Sequence, residues 1–464
     1  SMFNTETYTR RRADLVKALA SRGTTAGTIV FPGSEESPVN YPDNCYHFRQ
    51  DSSFLYYFCI QEPGLAASLD LASARATLYA DEQSLDSMIW SGPRPGAGDF
   101  AAACGAEAVR SRNALQADLA ALKGSIEILP QYRGETILYL VKDLGLDTAT
   151  IRHGTSLTLI QAVIAQREVK EAQEVVQIEA AVDTTIDMHR AVIQHTRPGA
   201  TEAQLMATAS QMALAKGGRP AFPPIATTQG AVLHNHGYGA TLAAGGLFLL
   251  DSGAETAEGY AGDLTSTFPI GPRYDERQKA IYRIVLEAGT AGVACMKPGQ
   301  PFKEAHLAAS RTIASGLKDL GLMKGDVDEA VAAGAHALFF CHGLGHQMGL
   351  DVHDLESLGE DHVGYDGQIR STQFGLKNLR MAKALKPGMV MTVEPGIYFI
   401  PGLIARWKAE SAHHAFIDYK AAEAWSKLGG YRNEEDWLVT ETAVRRLGKP
   451  FDKSIESMES YKKG

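Results

Sequence analysis

The sequence has few cysteines, and their spacing serves no familiar purpose. Only five of the 464 residues are cysteine, and they are Cys45, Cys59, Cys104, Cys295 and Cys341. No two of them have the spacing of a zinc site or of a thiol–disulfide motif, and their number is odd. A disulfide-stapled domain is therefore disfavoured, and we expect a reducing, cytoplasmic setting.

Long hydrophobic runs and an excess of positive charge are also missing. The apolar runs are far shorter than the roughly 18 residues of a membrane span. The first residues, SMFNTETYTRRRADL, are polar and charged, unlike a secretory signal peptide. The chain has 45 Lys and Arg against 54 Asp and Glu, so its net charge is -9. We therefore expect neither a membrane nor a nucleic acid as a partner.

The segments that are present divide the chain into two parts. Helix-like and strand-like segments alternate at first, which predicts a smaller N-terminal α/β domain over residues 1–160. Its predicted strands include GTIVFPG, SSFLYYFCI and ARATLYA. From about Thr158 a helical period predicts two long helices, and Thr201 is a candidate N-cap for the next one. Residues 161–464 are expected to form a larger mixed α/β (α+β) domain.

The last third of the larger domain alternates strands and turns. GMVMTVEPGIYFI and EDWLVTETAV have strand-like patterns. Between Asp354 and Leu379 the chain is polar and contains several glycines. Such a composition is typical of a surface insertion, and lids are often built this way.

Carboxylates inside apolar, strand-like segments are the most unusual feature of the sequence. FLLDSGAETAEGYAGDLTSTF places Asp251 at the end of one apolar strand and Asp263 in the next. Glu394 lies in VMTVEPGIYF, Glu434 lies in GYRNEEDWLVT, and His346 closes HGLGH. A buried carboxylate is costly unless a cation meets it, so these positions need an explanation.

Each position has an ordinary interpretation when it is taken alone. An Asp at a strand end often caps a turn, TVEPG can be a strand before a Pro-Gly turn, and RNEED can be a solvated charge run. Five such segments in one chain favour a common cause. Four carboxylates and one imidazole suit two divalent ions, which would activate water and polarise a carbonyl. The ligand types allow Mn²⁺, Co²⁺ or Zn²⁺.

The order and flanks of these segments resemble the metallopeptidases of the pita-bread fold, a group that includes aminopeptidase P, prolidase and methionine aminopeptidase. LLDSGAETAEGYAGDLTSTFP is similar to the group's first block, and HGLGHQMGLDVHD, GMVMTVEPGIYF and RNEEDWLVTET follow in the expected order. The resemblance covers about residues 165–445. The segment YHFRQDSSFLYYFCIQEPG resembles the smaller N-terminal domain of prolidase and aminopeptidase P.

The resemblance implies a role for each acidic position. Asp251 and Asp263 would bind two divalent metal ions, with Asp263 bridging them. His346 and Glu394 would complete one site, and Glu434 would bridge from another strand. Glu394 would also be the general base. Mn²⁺ is the metal that the resemblance favours.

The resemblance also implies roles for basic residues. His234, His342 and His353 would bind the substrate and stabilise the oxyanion or the leaving nitrogen, and Arg432 would orient the ligands. An alternative for His353 is a core histidine bonded to Asp354.

One position departs from the group's pattern, because Asn433 stands where an apolar residue is usual. A shift of one residue would make Glu435 the ligand and would turn the strand face over. Glu434 is preferred, since Arg432 and Asp436 then keep their matching positions.

The substrate class is predicted from Arg380. A dipeptidase must recognise a free carboxylate beside proline, and a guanidinium fork does this well. Arg380 precedes Glu394 by fourteen residues, as an arginine does in prolidase. The resemblance therefore favours hydrolysis of Xaa-Pro dipeptides. If Arg380 is only a surface residue of LRMAKAL, an aminopeptidase P acting on longer proline-containing peptides is the alternative.

Two other interpretations stay open at this point. Some proteins of this fold have lost their ligands and only bind partners, although the complete ligand set here argues against that. Hydrolysis of phosphotriesters would be a side activity, as in some prolidase relatives. The resemblance also implies a homodimer.

Overall fold

The computed structural model describes residues 3–122 and 124–463. Its contacts divide the chain into two compact units, Ser1–Arg167 with Leu355–Val363, and Glu168–Asp354 with Gly364–Gly464. The predicted boundary after residue 160 lies inside the helix Leu157–Arg167, and the two-domain division stays a prediction. Within the described ranges, no helix is long and apolar enough to cross a membrane.

The first unit is built on one mixed sheet, as the alternating pattern predicts. Its strands are β1 (Thr28–Pro32), β2 (Pro38–Tyr41), β3 (Asn44–Cys45), β4 (Ala66–Asp70), β5 (Ala76–Tyr79), β6 (Ala108–Arg110) and β7 (Ile126–Glu127). Its helices are α1 (Thr5–Ser21), α2 (Ser52–Phe58), α3 (Leu85–Ser91), α4 (Ala97–Cys104), α5 (Ala114–Ala121), α6 (Gly134–Leu144), α7 (Thr148–His153) and α8 (Leu157–Arg167). The strand order is β6-β5-β4-β1-β7, and β2 pairs with β3 separately.

The prediction of a strand at SSFLYYFCI is wrong, because Ser52–Phe58 forms helix α2. The carboxylate of Asp51 caps it by accepting from the amide of Phe54, and Cys59 ends it in the left-handed conformation. Every residue of α2 is buried, so the segment has no polar face that would reveal a helical period. Its four aromatic residues also favour a strand, so local propensity points to the wrong structure.

The second unit combines small antiparallel sheets with long helices. Its strands are β8 (Arg219–Pro220), β9 (Ile225–Thr227), β10 (Leu247–Ser252), β11 (Ala254–Glu255), β12 (Leu264–Pro269), β13 (Val390–Val393), β14 (Gly396–Tyr398), β15 (Gly430–Arg432), β16 (Glu435–Val439) and β17 (Val444–Arg446). Its main helices are α9 (Ala172–His195), α10 (Glu202–Ala215), α11 (Glu276–Ala294) and α12 (Phe302–Asp319). Shorter helices are α13 (Val327–Ala333), α14 (Glu360–Gly364), which begins in the first unit, α15 (Pro401–Ala409), α16 (Tyr419–Ala424) and α17 (Ile455–Tyr461).

The helices predicted in this part of the chain are confirmed. α8 and α9 are the two helices of the long periodic segment, and the hydroxyl of Thr201 caps α10 by accepting from the amide of Gln204. Single 3₁₀ turns lie at Ala335–Leu338, Glu356–Leu358 and Leu376–Asn378.

Two three-stranded sheets, β12-β10-β9 and β13-β16-β17, meet at one seam. Asp251 of β10 lies opposite Thr265 of β12. Thr265 in turn forms an isolated antiparallel bridge with Glu434, which lies between β15 and β16. The hydroxyl of Thr267 donates to the carbonyl of Arg432 and accepts from its amide. The seam therefore brings together strand ends from distant parts of the chain.

A close approach to helix α9 explains the glycine before Asp263. A Cβ atom on Gly262 would lie 2.9 Å from the amide nitrogen of Val182 and 2.8 Å from the hydroxyl of Thr185. Backbone atoms cannot yield at that distance, so only glycine fits here. The contact holds the chain beside α9 at the point where it enters β12.

The segment between Asp354 and Leu379 is less exposed than its composition predicts. Leu355, Leu358, Val363 and Tyr365 are buried, whereas Ile369 is 97 % exposed. Leu355–Val363 belongs to the first unit. The prediction of a surface insertion therefore fails for the first half of the segment, because its apolar residues are widely spaced among polar ones.

A buried ion pair fixes the loop that follows His346. The ammonium of Lys170 lies 2.6 Å from the carboxylate of Asp354, and both side chains are 1 % exposed. Asp354 accepts from the amide of Asp351 at 3.2 Å, and its own amide donates to the carbonyl of Gln347 at 2.9 Å. The pair thus sets the shape of the loop that carries His346 and His353.

We expect Lys170→Met to lower the free energy of unfolding by about 3–5 kcal/mol, because it removes the ammonium from a buried carboxylate. Lys386→Met is the matched control, since Lys386 pairs with buried Glu168 but is itself half exposed and Glu168 keeps its bond to Lys383. The control should cost less than about 1 kcal/mol. Urea unfolding of each variant measures both values, and equal losses would contradict the assignment.

Candidate metal centre

Four of the five predicted metal ligands lie at or beside strand ends of the second unit, and the fifth lies in a loop bonded to β13. Asp251 is in β10, Asp263 immediately precedes β12, and Glu394 immediately follows β13. Glu434 lies between β15 and β16. His346 lies in a loop, and its amide donates to the hydroxyl of Thr392. Loops at strand ends are held by two sheets at once, so their side chains converge with little freedom.

Three of the five form one compact group. Ligand atoms of Asp263, His346 and Glu434 all lie within 4.8 Å of one another, and all three residues are buried. The Nε2 atom of His346 is 3.5 Å from Oδ2 of Asp263. The Nδ1 atom of His346 lies 2.9 Å from the carbonyl of Gln347, which can only accept a hydrogen bond. Nδ1 therefore donates this bond, and Nε2 faces the carboxylates.

Glu394 and Asp251 border this group. Oε1 of Glu394 is 3.6 Å from Nε2 of His346 and accepts from the hydroxyl of Thr392 at 3.5 Å. Asp251 accepts from Arg432 at 2.7 Å. The negative charges of both residues help raise the pKa of Asp263 and that of Glu434. All five predicted ligands thus share one electrostatic environment.

Arg432 is the principal cation of the site, and its guanidinium is fully engaged. It donates to Asp251, to the hydroxyl of Tyr398 at 2.9 Å and to the hydroxyl of Thr265 at 3.2 Å. A planar fork with three fixed partners cannot rotate, so it holds the Asp251 carboxylate in one orientation. The position predicted to orient the ligands does contact a ligand directly.

The acidic residues outnumber the cations that surround them. Burial, followed by the nearby carboxylates, raises the pKa of Asp263 and that of Glu434 well above their usual values. Burial raises the pKa of Glu394 to about 7, and the charges of His346, Arg432 and Arg380 oppose this shift. Without further cations, the fold therefore favours the protonated forms of these groups.

The donor set fits divalent metal ions. Oδ1 of Asp263 is buried and has no hydrogen-bond partner among the described residues. An uncompensated buried carboxylate oxygen beside other carboxylates and an imidazole nitrogen is the arrangement that a divalent cation satisfies. The residues that approach this point can therefore hold such ions.

The structure separates Glu434 from its acidic neighbour. Glu434 accepts from the hydroxyl of Thr265 at 2.7 Å and faces Asp263. Glu435 turns the other way, towards Arg446 at 3.4 Å and Lys453 at 3.6 Å. Asn433 is buried, and its side-chain oxygen has no partner within the described part of the chain. The strand register therefore presents Glu434, and not Glu435, to the group.

Asp436 adds a fifth carboxylate behind the ligands. One of its oxygens accepts from the amide of Asp263 at 3.1 Å, while the other is buried without a partner in the described ranges. This bond fixes the backbone of Asp263.

The three predicted substrate histidines have different surroundings. The ring of His353 stacks on that of His346 at 3.7 Å between centroids. His234 is exposed, although its ring is partly buried. This partial burial and the charge of Arg432 lower the pKa of His234. Nδ1 of His342 donates to the carbonyl of Gly343, and its Nε2 accepts from the hydroxyl of Tyr398 at 2.8 Å. Both nitrogens of His342 are thus occupied by the protein, whereas His234 is open to solvent.

Arg380 lies within electrostatic range of the centre. It is half-buried, and its positive charge contributes to lowering the pKa of His342, which burial brings to about 3. The same charge acts on Glu394. Arg380 is therefore placed near the ligand group.

Sequence reasoning missed three contributors to the site, Thr265, Tyr398 and Lys453. A two-residue period could have indicated Tyr398. Glu394, Gly396 and Tyr398 are each two residues apart, which is the spacing of residues on one face of a strand. Gly396 permits this arrangement, since a Cβ there would lie 2.4 Å from the Tyr398 hydroxyl. Lys453 has no comparable signal, since its segment carries no motif.

Two family descriptions match the chain in separate segments. Residues 8–128 match the description "Aminopeptidase P, N-terminal domain". Residues 176–441 match the description "Metallopeptidase family M24". The order of the two matches agrees with the resemblance stated from the sequence motifs.

Relatives with both substrate preferences are similar to this chain. It is 29 % identical over 431 residues to the Xaa-Pro dipeptidase of Homo sapiens, covering 91 % of this chain and 86 % of that protein. It is 30 % identical over 477 residues to the Xaa-Pro aminopeptidase of Escherichia coli (strain K12), covering 99 % and 98 %.

Solved structures extend the likeness to the whole fold. A Zn-substituted aminopeptidase P of E. coli in complex with product has a TM-score of 0.81 at 27 % identity, covering 100 % of this chain and 99 % of that chain. The aminopeptidase PepP of Pseudomonas aeruginosa has a TM-score of 0.80 at 27 % identity, covering 99 % and 98 %. The pita-bread fold and the smaller N-terminal α/β domain predicted from the sequence are confirmed, and the chain belongs to metallopeptidase family M24.

Proposed function

We propose that the protein hydrolyses Xaa-Pro peptide bonds and that Xaa-Pro dipeptides are its preferred substrates. The observation that carries this proposal is the convergence of Asp263, His346 and Glu434 within 4.8 Å, with Glu394 beside them. The names of the relatives, Xaa-Pro dipeptidase and Xaa-Pro aminopeptidase, support the bond type.

Asp251, Asp263, His346, Glu394 and Glu434 would hold two divalent ions, with Mn²⁺ as the preferred metal and Co²⁺ or Zn²⁺ as substitutes. When bound, such ions lower the pKa of water and polarise a carbonyl. The mixed oxygen and nitrogen donors support this choice of metals.

Glu394 is the general base of the proposed reaction. It lies 3.6 Å from Nε2 of His346, so its carboxylate is within reach of a water bound among the proposed ligands. Glu394 borders the three-residue group and is not one of its members, which supports giving it a role in proton transfer as well as in metal binding.

Arg432 and Tyr398 form a rigid wall of the proposed site. Because both nitrogens of His342 are engaged, we assign His342 the role of orienting the Tyr398 hydroxyl. His234 and His353 remain the proposed substrate contacts. His234 is exposed, and the charge of His353 contributes to lowering its pKa, so the two rings lie in the same part of the site.

Arg380 is the proposed anchor for the free carboxylate of a dipeptide. Its charge acts on Glu394 and His342, and this proximity to the proposed general base supports the assignment. Aminopeptidase P activity on longer peptides is the second candidate, and the full-length similarity to aminopeptidase P structures favours it.

A homodimer and a cytoplasmic, reducing setting complete the proposal. All five cysteines are free thiols, which suits such a setting. A purely binding role is the least favoured alternative, because each of the five predicted ligand positions carries a side chain that can bind a metal.

We expect Glu394→Gln to lower kcat by roughly 10²–10⁴-fold, the range that a lost general base accounts for. Asp263→Asn should also lower kcat strongly, because it removes a proposed metal ligand. Steady-state hydrolysis of Ala-Pro with Mn²⁺ measures the loss. Glu410→Gln and Asp328→Asn are matched surface controls and should keep normal turnover. Normal turnover in both site variants would refute the proposed mechanism.

Product analysis by mass spectrometry separates the two candidate activities. We expect cleavage of Gly-Pro and Ala-Pro, and little cleavage of a longer peptide with proline second. Arg380→Leu should then raise KM for Ala-Pro by roughly 10–100-fold, since a charge-assisted hydrogen bond contributes about 1.5–3 kcal/mol. Ala-Pro-amide is the control, because it has no carboxylate. Preferential cleavage of the longer peptide would instead establish aminopeptidase P activity.

Removal of metal should destabilise the protein more at pH 8 than at pH 5. The pKa of each of Asp263, Glu394 and Glu434 is raised in the fold, so the metal-free fold binds more protons than the unfolded chain. Its stability therefore falls as pH rises, through about pH 7 for Glu394. Melting temperatures with Mn²⁺ and with EDTA, taken from pH 5 to pH 8, measure the difference. A difference that does not grow with pH would contradict this expectation.

A further inference from the structure

Lys453 lies beneath the metal centre in the segment between β17 and α17. It is only 5 % exposed, although lysine is among the residues least often buried. Its ammonium donates to the carbonyl of Thr265 at 2.9 Å and to that of Glu434 at 2.7 Å. A buried ammonium with two backbone carbonyl partners is a specific structural element.

Those two carbonyls belong to the seam between the sheets. Thr265 and Glu434 form the isolated bridge there, and the carbonyl of Thr265 also accepts from the amide of Glu434 at 3.0 Å. The hydroxyl of Thr265 holds the Glu434 carboxylate at 2.7 Å. Lys453 therefore binds both residues of the bridge that holds Glu434 against β12. Asp263 immediately precedes β12.

The remaining contacts of Lys453 anchor it and are not strong ion pairs. The nearest carboxylate oxygen belongs to Glu435 at 3.6 Å, beyond hydrogen-bond distance. The carbonyl of Lys453 accepts from the hydroxyl of Tyr282 at 2.7 Å. Burial lowers the pKa of Lys453, while Glu435, Glu434 and Asp436 favour its charged form.

We propose that Lys453 is a positioning residue that fixes the distance and orientation between Glu434 and Asp263, and through them the affinity for divalent ions. This inference rests on the proposed function, because it concerns the same metal centre. Lys453 acts through the backbone of the seam and does not touch the reacting atoms.

A purely electrostatic role makes the opposite prediction. A fixed positive charge near the ligands repels a metal cation, so its removal alone would tighten metal binding. Loss of positioning instead weakens binding, since the ligands no longer meet the ion in their required geometry. The direction of the change therefore separates the two explanations.

The test measures Mn²⁺ binding by isothermal titration calorimetry to the full chain and to four variants. Lys453→Met removes the charge and the donors, while Lys453→Gln removes the charge and keeps a donor. Glu435→Gln removes only the nearest carboxylate. Lys463→Met is a control on an exposed lysine of the same C-terminal region.

We expect Lys453→Met to weaken Mn²⁺ binding by at least 10-fold, Lys453→Gln to recover part of the loss, and both other variants to bind like the wild type. The electron paramagnetic resonance spectrum of the Mn²⁺ pair should change in Lys453→Met, since the coupling depends on the distance between the ions. If Lys453→Met does not fold, Lys453→Gln gives the comparison.

Unchanged or tighter Mn²⁺ binding by a folded Lys453 variant would overturn the inference and leave the proposed function standing. A loss in Glu435→Gln equal to that in Lys453→Met would also overturn it, because an ion pair would then explain the effect. Failure of the wild-type chain to bind Mn²⁺ would refute the proposed function itself, and this inference with it.

Discussion

Mutual repulsion among buried carboxylates is the constraint on which the second unit depends. Asp251, Asp263, Glu434 and Asp436 are buried close together, in surroundings where unit charges interact strongly. Fixed cations and hydrogen-bond donors reduce this repulsion. Arg432 neutralises Asp251, and the amide of Asp263 donates to Asp436. These contacts leave part of the negative charge uncompensated, and that remainder gives the site its attraction for divalent ions.

Rigidity comes from the way in which the sheets deliver the ligands. The ligands come from different strand ends, and bonds such as the one from Thr267 to Arg432 tie one sheet to the next. Partners in this seam are far apart along the chain, since Thr265 and Glu434 are separated by 169 residues. The buried pair of Lys170 and Asp354 fixes the remaining loop in a similar way. The centre is therefore a property of the whole unit and of no single motif.

The sequence predicts the family and the fold, and it proposes a set of ligands, because carboxylates within apolar strands such as FLLDSG are rare and costly. It does not predict helix α2, since a segment buried on every side has no periodicity to read. Nor does it predict the partner of Lys453, because a bond from a side chain to a distant carbonyl leaves no pattern along the chain. The engagement of His342 by Tyr398 likewise depends on how β14 places its residues.

The position of Lys453 has a consequence for the order in which the protein is made. Synthesis runs from the N-terminus, so both sheets of the seam leave the ribosome before the segment that contains Lys453. The carbonyls of Thr265 and Glu434 cannot share the Lys453 ammonium until then, because Lys453 follows both sheets along the chain. The metal centre would thus mature only after both sheets and this segment have been synthesised.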